Sequence, residues 1–352
     1  MGPLGHGVKA LLHQVYWVFA CLLLVTSCTT DSNENNRPQK PVNSTVEEKQ
    51  VKETKKEPLI VPEFNGDSAF AFVAQQVDFG PRVPNTNSHE SCAQWLAKEL
   101  ERHAAEVTIQ KGQVRAYDGT ILNIQNIIGA YNPESKKRVL LFAHWDTRPF
   151  ADKDSIRMQE PIDGANDGAS GVGVLLEVAR QLSVEPAGFG VDIVFFDAED
   201  YGKPEWDDSE SGSFQDWCLG SQYWAQNPHR MGYRAEFGIL LDMVGASDAV
   251  FHQEGTSLKY ARHIVDKVWS RATELGFGER FKPRATPPTV DDNLFVSEFA
   301  RIPSANIVDY RMNIRPMGYG PFHHTHRDNM SIIDKETLRQ VGVTVMSILR
   351  QP

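Results

Sequence analysis

Apolar positions recur with two different periods once the chain passes residue 63. Residues 68–77 and 92–103 carry them three and four apart, which predicts helices. Residues 121–131 and 138–143 are strand-like, and 169–182 return to helical spacing. Residues 191–196 and 237–241 are short, nearly unbroken apolar runs of the kind found in buried strands. A helix over 258–274, a strand over 304–308 and a closing helix over 334–349 complete the pattern. Strands that alternate with helices predict an α/β fold: a mostly parallel, twisted central sheet with helices on both faces. There is no internal repeat.

The first sixty residues follow a different logic. Lys9 precedes an apolar run over 15–24 that ends at Val25-Thr26-Ser27-Cys28. The run is too short to span a bilayer well after cleavage, and no stop-transfer pattern follows. Small residues before a cysteine resemble the lipobox of bacterial lipoproteins. That resemblance implies removal of residues 1–27 and lipid attachment at Cys28, with an ordinary secretory signal as the alternative. Residues 28–62, rich in Asn, Glu, Lys, Thr and Pro, cannot bury a core and read as a polar tether, leaving 63–352 as one folded domain. The expected location is the bacterial cell envelope, with the chain lipid-anchored and either periplasm-facing or surface-exposed.

Composition narrows the partners. A formal net charge of −10 gives no basic face for nucleic acid. The 4 cysteines contain no CxxC pair, so neither a thiolate zinc site nor a disulfide scaffold is indicated. Cys92 and Cys218, the two inside the folded part, can pair only if the fold brings them together.

Candidate chemistry gathers where predicted strands end. His144-Trp145-Asp146 follows one strand, Asp197-Ala198-Glu199-Asp200 a second and Asp242 a third. Asn166-Asp167-Gly168 opens a helix, and His323-His324-Thr325-His326 lies in a late Gly- and Pro-rich loop. Taken singly, each has an ordinary reading as a helix cap, turn residue or solvated carboxylate. Open α/β sheets, however, bind ligands beyond the carboxyl ends of their strands, so distant clusters can converge. Asp, Glu and His without thiolates suit a zinc-type metal with an open coordination position. Gly171-Val172-Gly173 lacks the third glycine of a dinucleotide fingerprint, and small residues packing a helix onto the sheet explain it better.

The ordered set Ala143-His144-Trp145-Asp146, residues 164–171, Phe195 to Asp200, Leu241-Asp242 and His324-Thr325 resembles the M28 metallopeptidase clan, which holds zinc aminopeptidases and zinc glutaminyl cyclases. The resemblance covers roughly residues 65–350. It implies Asp167, Asp200 and His324 as ligands of one zinc per chain, and Glu199 as the general acid and base. His144 and Asp242 would complete a second metal site in an aminopeptidase, although the cyclases keep both positions while using one zinc. Within the clan, Val290-Asp291-Asp292-Asn293-Leu294-Phe295 and His324 to Asn329 are similar to cyclase stretches. This implies catalytic roles for Asp291 and Asp242 in relaying protons, on peptides or proteins that begin with Gln.

Departures from the animal cyclases are Asp200 where a Glu is usual, Asn306 and Asn293 where histidines stand, and His323 in place of a tryptophan. The insert over 201–222 is the expected pocket wall, with ordinary packing of a surface loop as the alternative. Trp206 and Trp217 in the insert, with Phe322 beside the last ligand, are its candidate aromatics. An aminopeptidase on the same scaffold and a catalytically silent envelope protein are the competing classes. The intact Glu199 beside a full ligand set argues against the silent protein.

Overall fold

Apolar alternation along the middle strands explains the layering. In β3 (Arg138–His144), Val139, Leu141 and Ala143 join one buried cluster, while Leu140 and Phe142 join another on the opposite face. In β4 (Gly190–Phe196), Val191, Ile193 and Phe195 fall on the first face, Val194 and Phe196 on the second. A strand buried on both faces must be covered on both. This is a computed structural model, and it describes residue 59 and residues 61–208, 212–312 and 318–350. The leader over 1–27, Cys28 and nearly all of the tether lie outside the described residues. Among those described, no helix is long and apolar enough to cross a membrane.

In chain order the elements are α1 (Gly66–Asp78), α2 (Asn87–Glu101), β1 (Glu106–Arg115), β2 (Ile121–Tyr131), β3, α3 (Ala169–Val184) and β4. Then come α4 (Leu219–Gln226), β5 (Phe237–Asp242), β6 (Phe251–Gln253), α5 (Gly255–Glu274), β7 (Phe281–Ala285), α6 (Asp292–Glu298), β8 (Ser304–Val308) and α7 (Lys335–Arg350). The central sheet has 6 strands in the order β1-β2-β4-β3-β5-β8. Strands β4, β3, β5 and β8 are mutually parallel, and β2 pairs antiparallel with β1 and β4. The expected mostly parallel sheet is therefore present.

The larger core lies between the sheet and α1, α2, α3, α5 and α7. The opposite face is closed by Trp224 of α4 and Val296 of α6. Gly171 settles the reading of the glycine pair in α3. A Cβ there would sit 2.1 Å from the Leu241 carbonyl oxygen, so the glycine lets α3 lie directly on the sheet. Gly173 does the same against Val73 and Ala69 of α1.

Three elements near the site were not expected from the sequence. Strand β1 is a half-exposed edge whose residues include Lys, Gln, Glu and Thr, so it carries no apolar signal. Helices α4 and α6 span 8 and 7 residues, too short for helical periodicity to stand out.

Candidate metal centre and catalytic cleft

The strands β3, β4 and β5 end side by side at His144, Phe196 and Asp242, so their following residues share one edge of the sheet. The loop before α3 brings Asp167 to that edge, and the loop over 322–328 brings His324 from the other side. His324 Nε2 lies 3.1 Å from Asp200 Oδ1 and 3.9 Å from Asp167 Oδ2. His144 Nε2 lies 3.2 Å from Asp167 Oδ1 and 3.3 Å from Asp242 Oδ1. Asp167 is thus shared between two groups of donors. His323 also approaches it, with Nε2 3.9 Å from Asp167 Oδ2.

These donors fit a metal ion. Asp167 Oδ2 and Asp200 Oδ2 are buried and have no hydrogen-bond partner. A desolvated carboxylate oxygen without a donor is costly unless a cation balances it. Two carboxylates and one imidazole match the hard and borderline ligands of zinc, with a position left open. Asp152 supports the imidazole: its Oδ1 lies 3.2 Å from His324 Nδ1, directing Nε2 toward the carboxylates. Burial alone would raise the Asp152 carboxyl's affinity for protons, but Arg148 and His324 hold its pKa well below the usual range. Arg148 grips Asp152 with two bonds of 2.7 and 2.6 Å and donates to the Asp200 carbonyl at 3.0 Å. Neither Arg148 nor Asp152 belongs to a strand-end cluster. Their i,i+4 opposite charges were the only sequence signal.

Two buried carboxylates fix the backbone that carries the ligands. Asp146 accepts from the amides of Glu199 (3.0 Å) and Asp200 (3.2 Å), and its Oδ1 is 3.5 Å from His144 Nδ1. Asp328 accepts from the amides of Asn166 (2.7 Å) and Asp167 (3.0 Å). The backbone here is also strained. Ala198, Cys218, Met243 and His324 all have φ between 49° and 57°, a region unfavourable for residues with a Cβ. Gly168, at φ 99°, lies so close to the Asp146 carbonyl oxygen that a Cβ would be 2.5 Å from it.

Glu199 projects into a cleft of about 300 Å³, whose lining includes Asp167, Asp200, Asp242, Phe214, Trp217, Tyr319, His323 and His324. Burial, followed by the charges of Asp200, Asp291 and Asp292, raises the Glu199 pKa well above the usual carboxylate range, against the opposing charge of His144. Cys218 Sγ donates to Glu199 Oε1 at 3.2 Å. Asp291, N-cap of α6, has a ligand-capable oxygen within 4.8 Å of those of Glu199 and Cys218. Burial and the neighbouring Asp242 and Asp292 raise the Asp291 pKa too. Asn306 Nδ2 donates to Asp291 Oδ2 at 2.6 Å, so an amide holds this carboxyl. Asn293 instead faces Ser257 and Glu254, at 3.2 and 3.4 Å. His323 stacks on His324 at 3.6 Å and accepts from Lys153 at 2.8 Å, while burial lowers its own pKa and keeps it neutral.

The three expected pocket aromatics part company. Trp217 lines the cleft, parallel to the His324 ring at 6.1 Å and under the Arg148 guanidinium at 4.8 Å. Trp206 does not. Lys203 and Glu205 turn toward the cleft, while Pro204 and Trp206, alternating with them, turn to a separate depression where Trp206 meets Phe150 edge-on at 5.3 Å. Phe322 belongs to the main core, its ring 5.5 Å from the Arg311 guanidinium; the left-handed turn at His324 sends the imidazole inward while Phe322 stays in the core. Cys92 and Cys218 are both buried and unpaired.

Comparison with known proteins identifies the family. The profile of peptidase family M28 matches residues 126–349, well over half of the chain. The glutaminyl cyclase of Tannerella forsythia is 51% identical, with 83% of this chain and 100% of that chain covered at a TM-score of 0.80. The glutaminyl cyclase of Bacteroides thetaiotaomicron, solved with N-acetylhistamine, is 50% identical over 83% and 100% of the two chains, again at 0.80. A Zn-dependent exopeptidase from Parabacteroides distasonis is 49% identical over the same shares at 0.81. The strand-end carboxylates and the late histidine thus sit on the scaffold of a known enzyme family, and the chain belongs to peptidase family M28.

Proposed function

We propose that the chain is a zinc-dependent glutaminyl-peptide cyclotransferase that converts the N-terminal glutamine of peptides and proteins to pyroglutamate and releases ammonia. The observation that carries this reading is Glu199, a carboxylate with raised proton affinity facing the cleft, backed by the buried Asp291 and next along the chain to Asp200, which with Asp167 lies within 3.9 Å of His324. Half-identity to glutaminyl cyclases over their full length supports it.

The α-amine of the substrate attacks its own γ-carbonyl carbon, a C–N bond forms, and the side-chain nitrogen leaves as ammonia. Because the nucleophile is tethered, the protein has no water to capture and can spend its groups on orientation and proton transfer. Zinc held by Asp167, Asp200 and His324 would supply a Lewis acid for the γ-carbonyl oxygen and its developing negative charge. Glu199 takes the proton from the attacking amine and returns one to the departing nitrogen. Asp291 lies beside it, Asp242 acts on Asp291 from the cleft wall, and the two can share that proton, since neighbouring buried carboxylates resist joint ionisation. Asp146 holds Glu199 through its backbone, and Trp217 walls the cleft.

One zinc per chain is part of the proposal. Hydrogen-bond-range contacts from His144 Nε2 to both Asp167 and Asp242 can satisfy the second donor group without a second cation. The alternative is an M28 aminopeptidase, in which a second metal replaces that proton and helps generate hydroxide. A paired assay separates them. With a Gln-initiated dipeptide amide, the expected result is ammonia release and a product lighter by one ammonia; a Leu-initiated dipeptide amide is left intact. Sustained release of free Leu by a protein holding two zinc ions would promote the aminopeptidase instead.

We further propose Cys28 as a lipid anchor in the bacterial cell envelope, on the strength of the small residues before it and the polar stretch after it. Cys28→Ala is expected to move the protein from the membrane to a soluble envelope fraction. An acylated, membrane-bound variant would refute the anchor.

A further inference from the structure

We propose that Glu199, Cys218 and Asp291 form a second, inhibitory cation site, selective for thiophilic divalent ions such as Cd2+ and surplus Zn2+. One ligand atom from each of the three lies within 4.8 Å of the other two. Together they offer one sulfur and two carboxylates, a donor set that soft and borderline cations accept and that Mg2+ or Ca2+ does not favour.

A second observation points to a cation at this place. Asp292, next along the chain, is fully buried, and neither of its carboxylate oxygens has a hydrogen-bond partner. The Ser221 hydroxyl lies against it, yet gives its proton to the Cys218 carbonyl oxygen at 3.1 Å. Asp292 is close enough for its charge to act on both Cys218 and Glu199. A thiol and three carboxylates, with the charge of His144 set against Glu199, Asp291 and Asp292, leave this side of the cleft short of balancing positive charge. Arg148 and Lys153 do not supply it, since they are engaged with Asp152 and His323 on the other side.

The geometry gives the ion a way in and a backbone to rest on. Glu199 is the group of the three that lines the cleft. Cys218 is tied to it twice, by Sγ to Oε1 and by its own amide to the Glu199 carbonyl at 2.9 Å. On binding, the ion displaces the thiol proton to solvent and takes the Glu199 oxygen that the thiol had occupied. Glu199 can then no longer receive a proton from substrate, so occupancy and turnover exclude each other. This site is separate from the His144, Asp167 and Asp242 group, which contains no sulfur.

The test uses the zinc-loaded full chain, titrated with CdCl2 in thiol-free buffer. One added cadmium per chain is expected, with a thiolate-to-cadmium charge-transfer band in the ultraviolet that grows in step with inhibition. Cadmium that replaces zinc at Asp167, Asp200 and His324 gives no such band, because no thiolate is present there. In Cys218→Ser, and in Cys218→Ala should the first fold poorly, the band should vanish and the cadmium needed for half-inhibition should rise at least roughly tenfold, the minimum expected when a ligand is lost. Cys92→Ser and His144→Ala should retain the band. A band that survives loss of Cys218, or that disappears with Cys92 or His144, would overturn the site. Because absorbance and stoichiometry are read independently of the substrate, this outcome is distinguishable from failure of the cyclase assignment.

Discussion

Glu199→Gln is expected to fold, to retain its zinc and to lose turnover by about 10²–10⁴-fold, the usual contribution of a positioned proton acceptor. Glutamine keeps the size and one oxygen of the side chain, so the Cys218 thiol keeps an acceptor at this position. The backbone amide of residue 199 still reaches Asp146, and Asp200 beside it keeps its place. What disappears is the proton site. Burial, together with Asp200, Asp291 and Asp292, raises that site's affinity and so makes it useful near neutral pH, where an ordinary exposed carboxylate would be too weak a base. Metal content by atomic absorption and kcat on a Gln-initiated peptide decide the matter together. Full zinc with near-normal kcat would transfer the role of base to Asp291, which is buried and sits in the same cluster.

Why Glu199 could be found in the sequence, and Cys218 could not, follows from how each is positioned. Glu199 and Asp200 come directly after a buried apolar strand, and the end of such a strand is where ligands bind in this architecture. His144 and Asp242 are legible for the same reason. Cys218 reaches Glu199 through a left-handed residue ahead of a helix of only 8 residues, and nothing in local periodicity marks that turn. Arg148 and Asp152 are fixed by burial and by mutual charge rather than by period. The error over Trp206 has a similar origin. An insert can be identified from composition, but which of two alternating faces meets the cleft depends on where Pro204 and Trp206 find apolar company. Here that company is Phe150, outside the cleft. On the sheet the pattern was strong wherever most of a strand is buried: β2 and β8 have the bounds expected of them, whereas the half-exposed β1 was not expected.

Removal of a metal ligand should have the largest effect of all, and the contrast with its supporting carboxylate makes the effect diagnostic. In Asp167→Ala the cation loses a donor whose Oδ2 has no other partner, and the remaining Asp200 and His324 form an incomplete set. Zinc content and turnover should fall together to background. Asp328→Asn leaves every ligand in place. It swaps one oxygen that accepts from the Asn166 or Asp167 amide for an NH2 group that must face that donor, so the loop bearing Asp167 loosens without losing its carboxylate. Zinc affinity should then drop about 10–100-fold, or about 1.4–2.8 kcal/mol, as it does when outer partners of a metal site are removed. Saturating zinc should restore most of the turnover in Asp328→Asn and none in Asp167→Ala. A competitive chelator titration measures the affinities, and kcat at saturating metal measures the recovery. Full zinc in Asp167→Ala would remove that residue from the ligand set. Unchanged affinity in Asp328→Asn would mean that strain elsewhere in the loop, at Gly168 with its contact to the Asp146 carbonyl, is enough to hold Asp167 in position.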